Sequence, residues 1–278
     1  MQYTLDHLGI YRPETPVHHR NDEYQESGFK TLLEMQEKHF WYIGRHQFLL
    51  SVLKRHVSHA SQRCIDLGGG VGGWVRFLLD NHPSHCKDLA LGDSSAVALV
   101  EARKILPQEV KLYQVDLMNL HWKNEWDIAF LLDVMEHCPQ DAMILRQTYD
   151  ALKPGGKLII SAPALMYFWS QNDVHANHLR RYNISDYRRL AEETGFHLVD
   201  ARYFMFFLSP LYWLSRKTKS SHLTKEELEK AIQKEHQVPG WFVNAALTKI
   251  FSSERFFGHH FRFPWGTSIL GIFEKPTA

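Results

Sequence analysis

At 278 residues the chain is long enough for one large domain, or for one domain carrying an elaborate insertion. A net charge of +1 and an ordinary apolar share leave no basic face for a long nucleic acid, so no nucleic-acid partner is expected. Cys64, Cys86 and Cys138 are scattered, which excludes a disulfide framework and a paired-cysteine metal site.

Residues 1–30 are polar and read as irregular. From 31 to 59 apolar residues recur at helical spacing and predict one or two helices. These carry His39, Phe40, Trp41 and Tyr42, then Arg45 and His46. Two readings of the aromatics stand side by side. Trp41 and Tyr42 form the underside of a cap and touch a substrate, or they are a helix face packed on a sheet.

The run 64–73, Cys-Ile-Asp-Leu-Gly-Gly-Gly-Val-Gly-Gly, orders a short apolar strand, an acid, a glycine turn and the start of a helix. Bare backbone lets a ligand approach closely, and the helix N-terminus beyond offers free N–H groups and a partial positive charge. A dinucleotide reading needs Gly68, Gly70 and Gly73, and leaves position 66 apolar, because a diphosphate repels a carboxylate. Asp66 argues instead for a ligand with a cationic group.

Three more apolar runs close on acids: 88–93 on Asp93, 110–116 on Asp116 and 126–133 on Asp133. An acid about 20 residues past such a loop can bond both hydroxyls of a ribose. Pro154, Gly155 and Gly156 punctuate a helix and a fifth strand that starts near Lys157. Residues 196–204 and 268–274 read as a sixth and a seventh strand. Strand and helix alternate from 63 to 203, which predicts a parallel sheet with helices on both faces and a ligand at the carboxyl ends of the strands.

Asp66-x-Gly68-x-Gly70-x-Gly72, with the acids that follow in order, resembles motif I and its successors in the class I S-adenosylmethionine (SAM) methyltransferases, of the bacterial type serving small-molecule, glycan or lipid pathways. The resemblance covers about residues 60 to 203. It implies an α/β fold, a doubly wound, mostly parallel seven-stranded sheet of order 3-2-1-4-5-7-6 with the last strand antiparallel. It also implies SAM as cofactor. Asp66, Gly68, Gly69, Gly70 and Gly72 would cradle its methionine end, Asp93 and Ser94 its ribose, Asp116 and Leu117 its adenine, with Asp133 beside the methyl group. Gly69 is an extra glycine expected to loosen the loop. Residues 1–60 are then a helical cap, 61–204 the core, 205–266 a helical pocket insertion with helices at 223–235 and 241–251, and 267–278 the final strand.

Methyl transfer from SAM is an in-line displacement that needs alignment and, for many acceptors, a base. Two stretches offer one. Asp133-Val-Met-Glu136-His137 is similar to a segment of ubiquinone-pathway O-methyltransferases that can hold a divalent cation there, and is also common in methyltransferases without one; no metal is expected here. Residues 170–182 resemble an Asp…His-x-Arg-Arg-Tyr segment of the bacterial group. His178 or His175 could take a proton with Asp173 orienting the ring, while Arg180, Arg181 and Tyr182 would meet the acceptor. The same cluster could instead pin a loop before a helix capped near Ser185 and Asp186.

The expected activity is methylation of a small-molecule or lipid-linked acceptor, on oxygen first, with a small amine as the alternative acceptor. A non-catalytic SAM-binding module and a nicotinamide oxidoreductase are the rivals. The N-terminus lacks a signal-like region and no apolar run spans a bilayer, so a cytoplasmic protein is expected. The run 203–214, flanked by basic residues 216–219, leaves peripheral membrane contact open; His259 and His260 are adjacent, so a metal pair is not expected there. The oligomeric state is not fixed by the sequence.

Overall fold

The computed structural model describes residues 3–17, 29–57, 62–81, 86, 88–217, 237–258 and 261–277. At its centre lies β3 (Arg63–Leu67), a run whose last four residues are buried. It pairs in parallel with β4 (Asp88–Asp93) and with β6 (Trp126–Leu132). Such strands carry apolar residues on both faces because helices cover both. Beyond β4 comes β5 (Lys111–Gln114), and beyond β6 comes β7 (Leu152–Pro163). The last strand, β9 (Ser268–Glu274), runs antiparallel between β7 and β8 (His197–Phe204).

The order β5-β4-β3-β6-β7-β9-β8 is the one the resemblance implies. The sheet nevertheless has nine strands. β1 (Tyr3–Leu5) and β2 (Ile10–Pro13) form a hairpin whose second strand joins β5 in parallel. Strands of three and four residues are too short for alternation to show, so this part of 1–30 read as irregular. Tertiary partners hold it: Ile10 is fully buried, Arg12 bonds Asp6 and Gln114, and Tyr11 stacks on Tyr113.

Nine helices are described: α1 (Phe29–Lys38), α2 (Phe40–His56), α3 (Gly73–Asn81), α4 (Ala96–Ile105), α5 (Asp141–Ala151), α6 (Gln171–His175), α7 (Ile184–Thr194), α8 (Ser209–Lys217) and α9 (Trp241–Phe257). Two apolar cores sandwich the sheet, one around Phe48, Trp74, Phe130 and Phe251, the other around Trp126, Leu145, Tyr187 and Phe273. α2 and α9 pack together on the first face, where Phe204 stacks between Phe48 and Phe251.

Three local expectations change. The cap of α7 is Asn183, which accepts from the N–H groups of Ser185 and Asp186 while Asp186 accepts in return, so Ser185 is inside the helix. α9 continues to Phe257, beyond the expected 251. Tyr203, Phe204, Met205 and Leu208 are buried, so the first half of the run 203–214 is core. The candidate helix 223–235, positions 218 and 219 of the basic run, and His259 and His260 lie outside the described residues. No helix among the described residues is long and apolar enough to cross a membrane.

Candidate active site

The glycine turn after β3 faces a continuous cavity of about 1100 Å³ at the carboxyl ends of the strands. Asp66, Gly68, Gly69, Gly70, Asp93, Ser94, Asp116, Leu117 and Asp133 all line it; Gly72 lies behind it at the start of α3. Gly68, Gly70 and Gly72 take positive φ, which shapes the turn. Gly69 is required for a different reason. A Cβ there would overlap the Asp66 carboxylate and Leu91, so the extra glycine seats the acid instead of loosening the loop. Asp93 ties the turn to the neighbouring strand: one oxygen accepts the Gly70 N–H at 2.8 Å and the other the Ser95 N–H at 2.8 Å.

Asp66 is buried, and its Oδ1 has no hydrogen-bond partner in the protein. Burial, only partly offset by Arg45 and reinforced by Asp93, pushes its carboxyl up to about 7. A buried acid left in this condition is suited to a cation delivered by a ligand.

After the neighbouring strand β6, Asp133 takes φ +58°, a left-handed conformation uncommon for a residue with a side chain. Three contacts hold it there: its N–H donates to the Ser161 carbonyl, Ser161 Oγ donates to Oδ1, and Arg45 ion-pairs with Oδ2. Arg45 comes from α2, with its guanidinium 4.8 Å from the ring centre of Trp41 and 5.2 Å from that of Tyr42. Both rings line the cavity. Behind it, His46 is held neutral by burial first and the Arg45 charge second. The sequence showed Arg45 one helical turn past Trp41, but the charge it meets lies 88 residues away.

Next to Asp133 sits a histidine cluster. His178 Nδ1 lies 2.9 Å from Asp173 Oδ1, and its ring centre lies 4.9 Å from that of His137. Burial works against the Asp173 charge, but the His178 hydrogen bond and the Arg181 guanidinium overcome it and hold the carboxyl at about 2. His137 is pulled down to about 4, by burial first and His178 second. Glu136 is fully buried, and neither carboxylate oxygen has a hydrogen-bond partner in the protein. Burial, with the Asp133 charge added, pushes its carboxyl well above the usual range. Ligand atoms of Glu136, His137 and His178 lie within 4.8 Å of one another, so the three can share a proton or a cation.

Residues 38–201, more than half of the chain, match the methyltransferase domain family. The chain belongs to that family. It is 26% identical to phosphoethanolamine N-methyltransferase 2 of Caenorhabditis elegans over 232 residues, which are 79% of this chain and 52% of that protein. It is 24% identical to the ubiquinone biosynthesis O-methyltransferase of Stutzerimonas stutzeri, over 56% of this chain and 63% of the relative. The chain thus spans between half and two thirds of the length of these relatives. In fold it is similar to the Haemonchus contortus phosphoethanolamine N-methyltransferase 2 solved with S-adenosyl-L-methionine, with TM-score 0.56, 18% identity, and coverage of 91% of this chain and 57% of that one.

The chain carries a methyltransferase domain, and its own residues suit SAM as the cofactor. The orphaned Asp66 oxygen answers an amino-acid ammonium, and the turn at Gly69 leaves no side chain in the cradle. Asp116 and Leu117 line the same cavity after β5.

On the acceptor side His175, Arg180 and Tyr182 do not line the cavity, and Arg181 lines it with its charge already paired, which favours the loop-pinning alternative. His175 is exposed on α6 and does not line the cavity. Arg180 turns away to Asp141 at 2.9 Å and the Pro139 carbonyl at 3.0 Å. Arg181 is buried and its fork closes on Asp173, with the Ala164 and Thr267 carbonyls and the Tyr212 hydroxyl accepting the remaining N–H groups. Tyr182 is buried against Asp141 and the Met135 carbonyl. The Arg-Arg-Tyr run therefore pins the loop that carries His178, because a buried guanidinium needs every donor satisfied. Tyr212, from the aromatic run 203–214, lines the cavity and completes that pin.

Proposed function

We propose that this methyltransferase methylates a hydroxyl group of a small-molecule acceptor with an apolar, lipid-like part, and that His178 is the general base. The observation that carries this reading is the Asp173–His178 pair, 2.9 Å apart, in the cavity that also holds the SAM cradle. Asp173 engages Nδ1, which leaves Nε2 as the ring nitrogen to receive the acceptor proton. Arg181 keeps Asp173 ionised, so the carboxylate can stabilise the imidazolium that forms.

SAM, when bound, supplies a methyl group on a good leaving group. The chain then has to align and desolvate the acceptor. Trp41 and Tyr42 close over the cavity, and Arg45 fixes them to Asp133. The far end is lined by Met205, Leu208, Leu211 and Leu247, which suits an apolar tail. A cavity of about 1100 Å³ is at the upper limit of small-molecule sites and has room for donor and acceptor together.

A small amine is the second reading, supported by Glu136, a buried and unpartnered carboxyl beside His137. Labelled SAM offered with matched alcohol and amine acceptors separates the two. With a hydroxyl acceptor, His178→Ala is expected to lower kcat by about 10² to 10³ fold without changing the affinity for S-adenosylhomocysteine, the demethylated product. A loss below about threefold would remove His178 from the chemistry.

A further inference from the structure

α9 has an apolar face on each side. Towards the core it presents Leu247, Phe251 and buried Glu254. Along the opposite side, at helical spacing, run Phe242, Ala246, Ile250, Ser253, Phe256 and Phe257, with Lys249 among them. Trp241 is 84% exposed, Phe242 76% and Phe256 61%. Phe207 meets Phe257 edge-on, with ring centres 5.8 Å apart, while Trp241, Phe242 and Phe256 make up the most exposed part of this face. A helix of 17 residues is about 25 Å long, so the strip is large for an isolated soluble surface.

Charge selects what it meets. In 237–267 the one acid is Glu254, which is buried and accepts the Phe207 N–H at 2.8 Å. The cations Lys249 and Arg255 remain on or beside the exposed strip, with the Arg255 guanidinium 4.7 Å from the Phe256 ring centre, while Arg262 pairs with buried Asp200 at 3.3 Å. Aromatic and aliphatic side chains with interspersed cations and no exposed carboxylate suit an anionic lipid interface. The helix that carries the strip also borders the site on its inner side. Gly240 and Leu247 of this segment line the cavity, as does Leu211 of α8, itself 55% exposed.

We propose that the outer face of α9 docks on an anionic lipid surface and places the mouth of the acceptor cavity against it. The contact is peripheral and does not depend on which atom of the acceptor is methylated. It shifts the candidate membrane patch from 203–214, whose first half is core, to 241–257.

Flotation of the full chain with phosphatidylglycerol vesicles, and with phosphatidylcholine vesicles as control, tests it. Binding is expected to the former, to weaken in high salt, and to fall at least tenfold in the double variant Phe242→Ser, Phe257→Ser. Lys249→Glu should weaken it about fivefold. Affinity for S-adenosylhomocysteine, unchanged in each variant, reports that the chain is folded. Three results overturn the proposal: no preference for phosphatidylglycerol, binding untouched by the double variant, or a dimer in sedimentation that the same variant dissociates.

Discussion

The two ends of the cavity are built on different principles. The SAM end is made by strand ends and backbone: Asp66, the glycine turn and Asp93 stand within 28 residues of one another, and Asp93 acts through two main-chain N–H groups. The acceptor end is assembled from side chains that arrive from α2, the turn after β6, α6, α8 and α9. It is fixed by two ion pairs, Arg45 with Asp133 across 88 residues and Arg181 with Asp173 within one segment. Backbone geometry tolerates little change in sequence, whereas a side-chain wall can be rebuilt one residue at a time. One scaffold can therefore keep its donor and vary its acceptor.

That contrast predicts which variants act on which half. The largest effect falls on the cradle. In Gly69→Ala the new methyl overlaps the Asp66 carboxylate, and affinity for S-adenosylhomocysteine is expected to drop about 100-fold. Calorimetric titration reads this directly, and an affinity near that of the natural chain would break the close-approach argument.

A smaller effect follows from pH. Asp66 must be ionised to receive the ligand's ammonium, and its carboxyl titrates at about 7. Affinity for S-adenosylhomocysteine should hold above that value and fall below it, approaching tenfold per pH unit. A flat profile from pH 8 to pH 5 would separate Asp66 from the cation.

On the acceptor side, Asp173 is expected to act on stability. Its carboxyl titrates at about 2 in the folded chain, below its unfolded value of about 3.9. The stabilisation is complete above the unfolded value and is lost as pH falls through the folded one. It amounts to about 2 kcal/mol. Asp173→Asn should remove that acid-range stability, seen as a flatter profile of urea midpoints between pH 5 and pH 2, while leaving the cradle's affinity intact. The smallest expected effect is from chelation: dialysis against EDTA should leave the rate unchanged, and a loss restored by one divalent metal would assign Glu136, His137 and His178 to that ion.

The donor half was the legible half. Each of its strands closes on an acid, and acid, turn and helix follow within a few residues, so local order in the sequence is spatial order in the fold. β9 was legible too, because 269–273 is apolar throughout, as a strand covered on both faces must be. The acceptor half was partly hidden. The segment at 173–182 announced an active site, but spacing does not reveal that Arg181 closes on Asp173 or that Arg180 faces Asp141. Nor does periodicity say which side of an apolar helix is inward. Residues 241–257 are apolar most of the way round, and only the packing of Phe251 under α2 distinguishes core from surface. Asp93 was read for its bond to a ribose, whereas its bonds to Gly70 and Ser95 need the third dimension to be seen.

Gly44 deserves a last consequence. A Cβ at this position would run into the ring of Phe251, so α2 and α9 touch with nothing between backbone and ring. Two helices joined so closely have no room to shift past each other. α9 carries Phe242 and Phe257; α2 carries Arg45, one residue beyond Gly44, and through it Asp133. With α9 docked on a lipid surface as proposed above, turnover would be governed by how many acceptors share each unit of area, not by how many share each unit of volume.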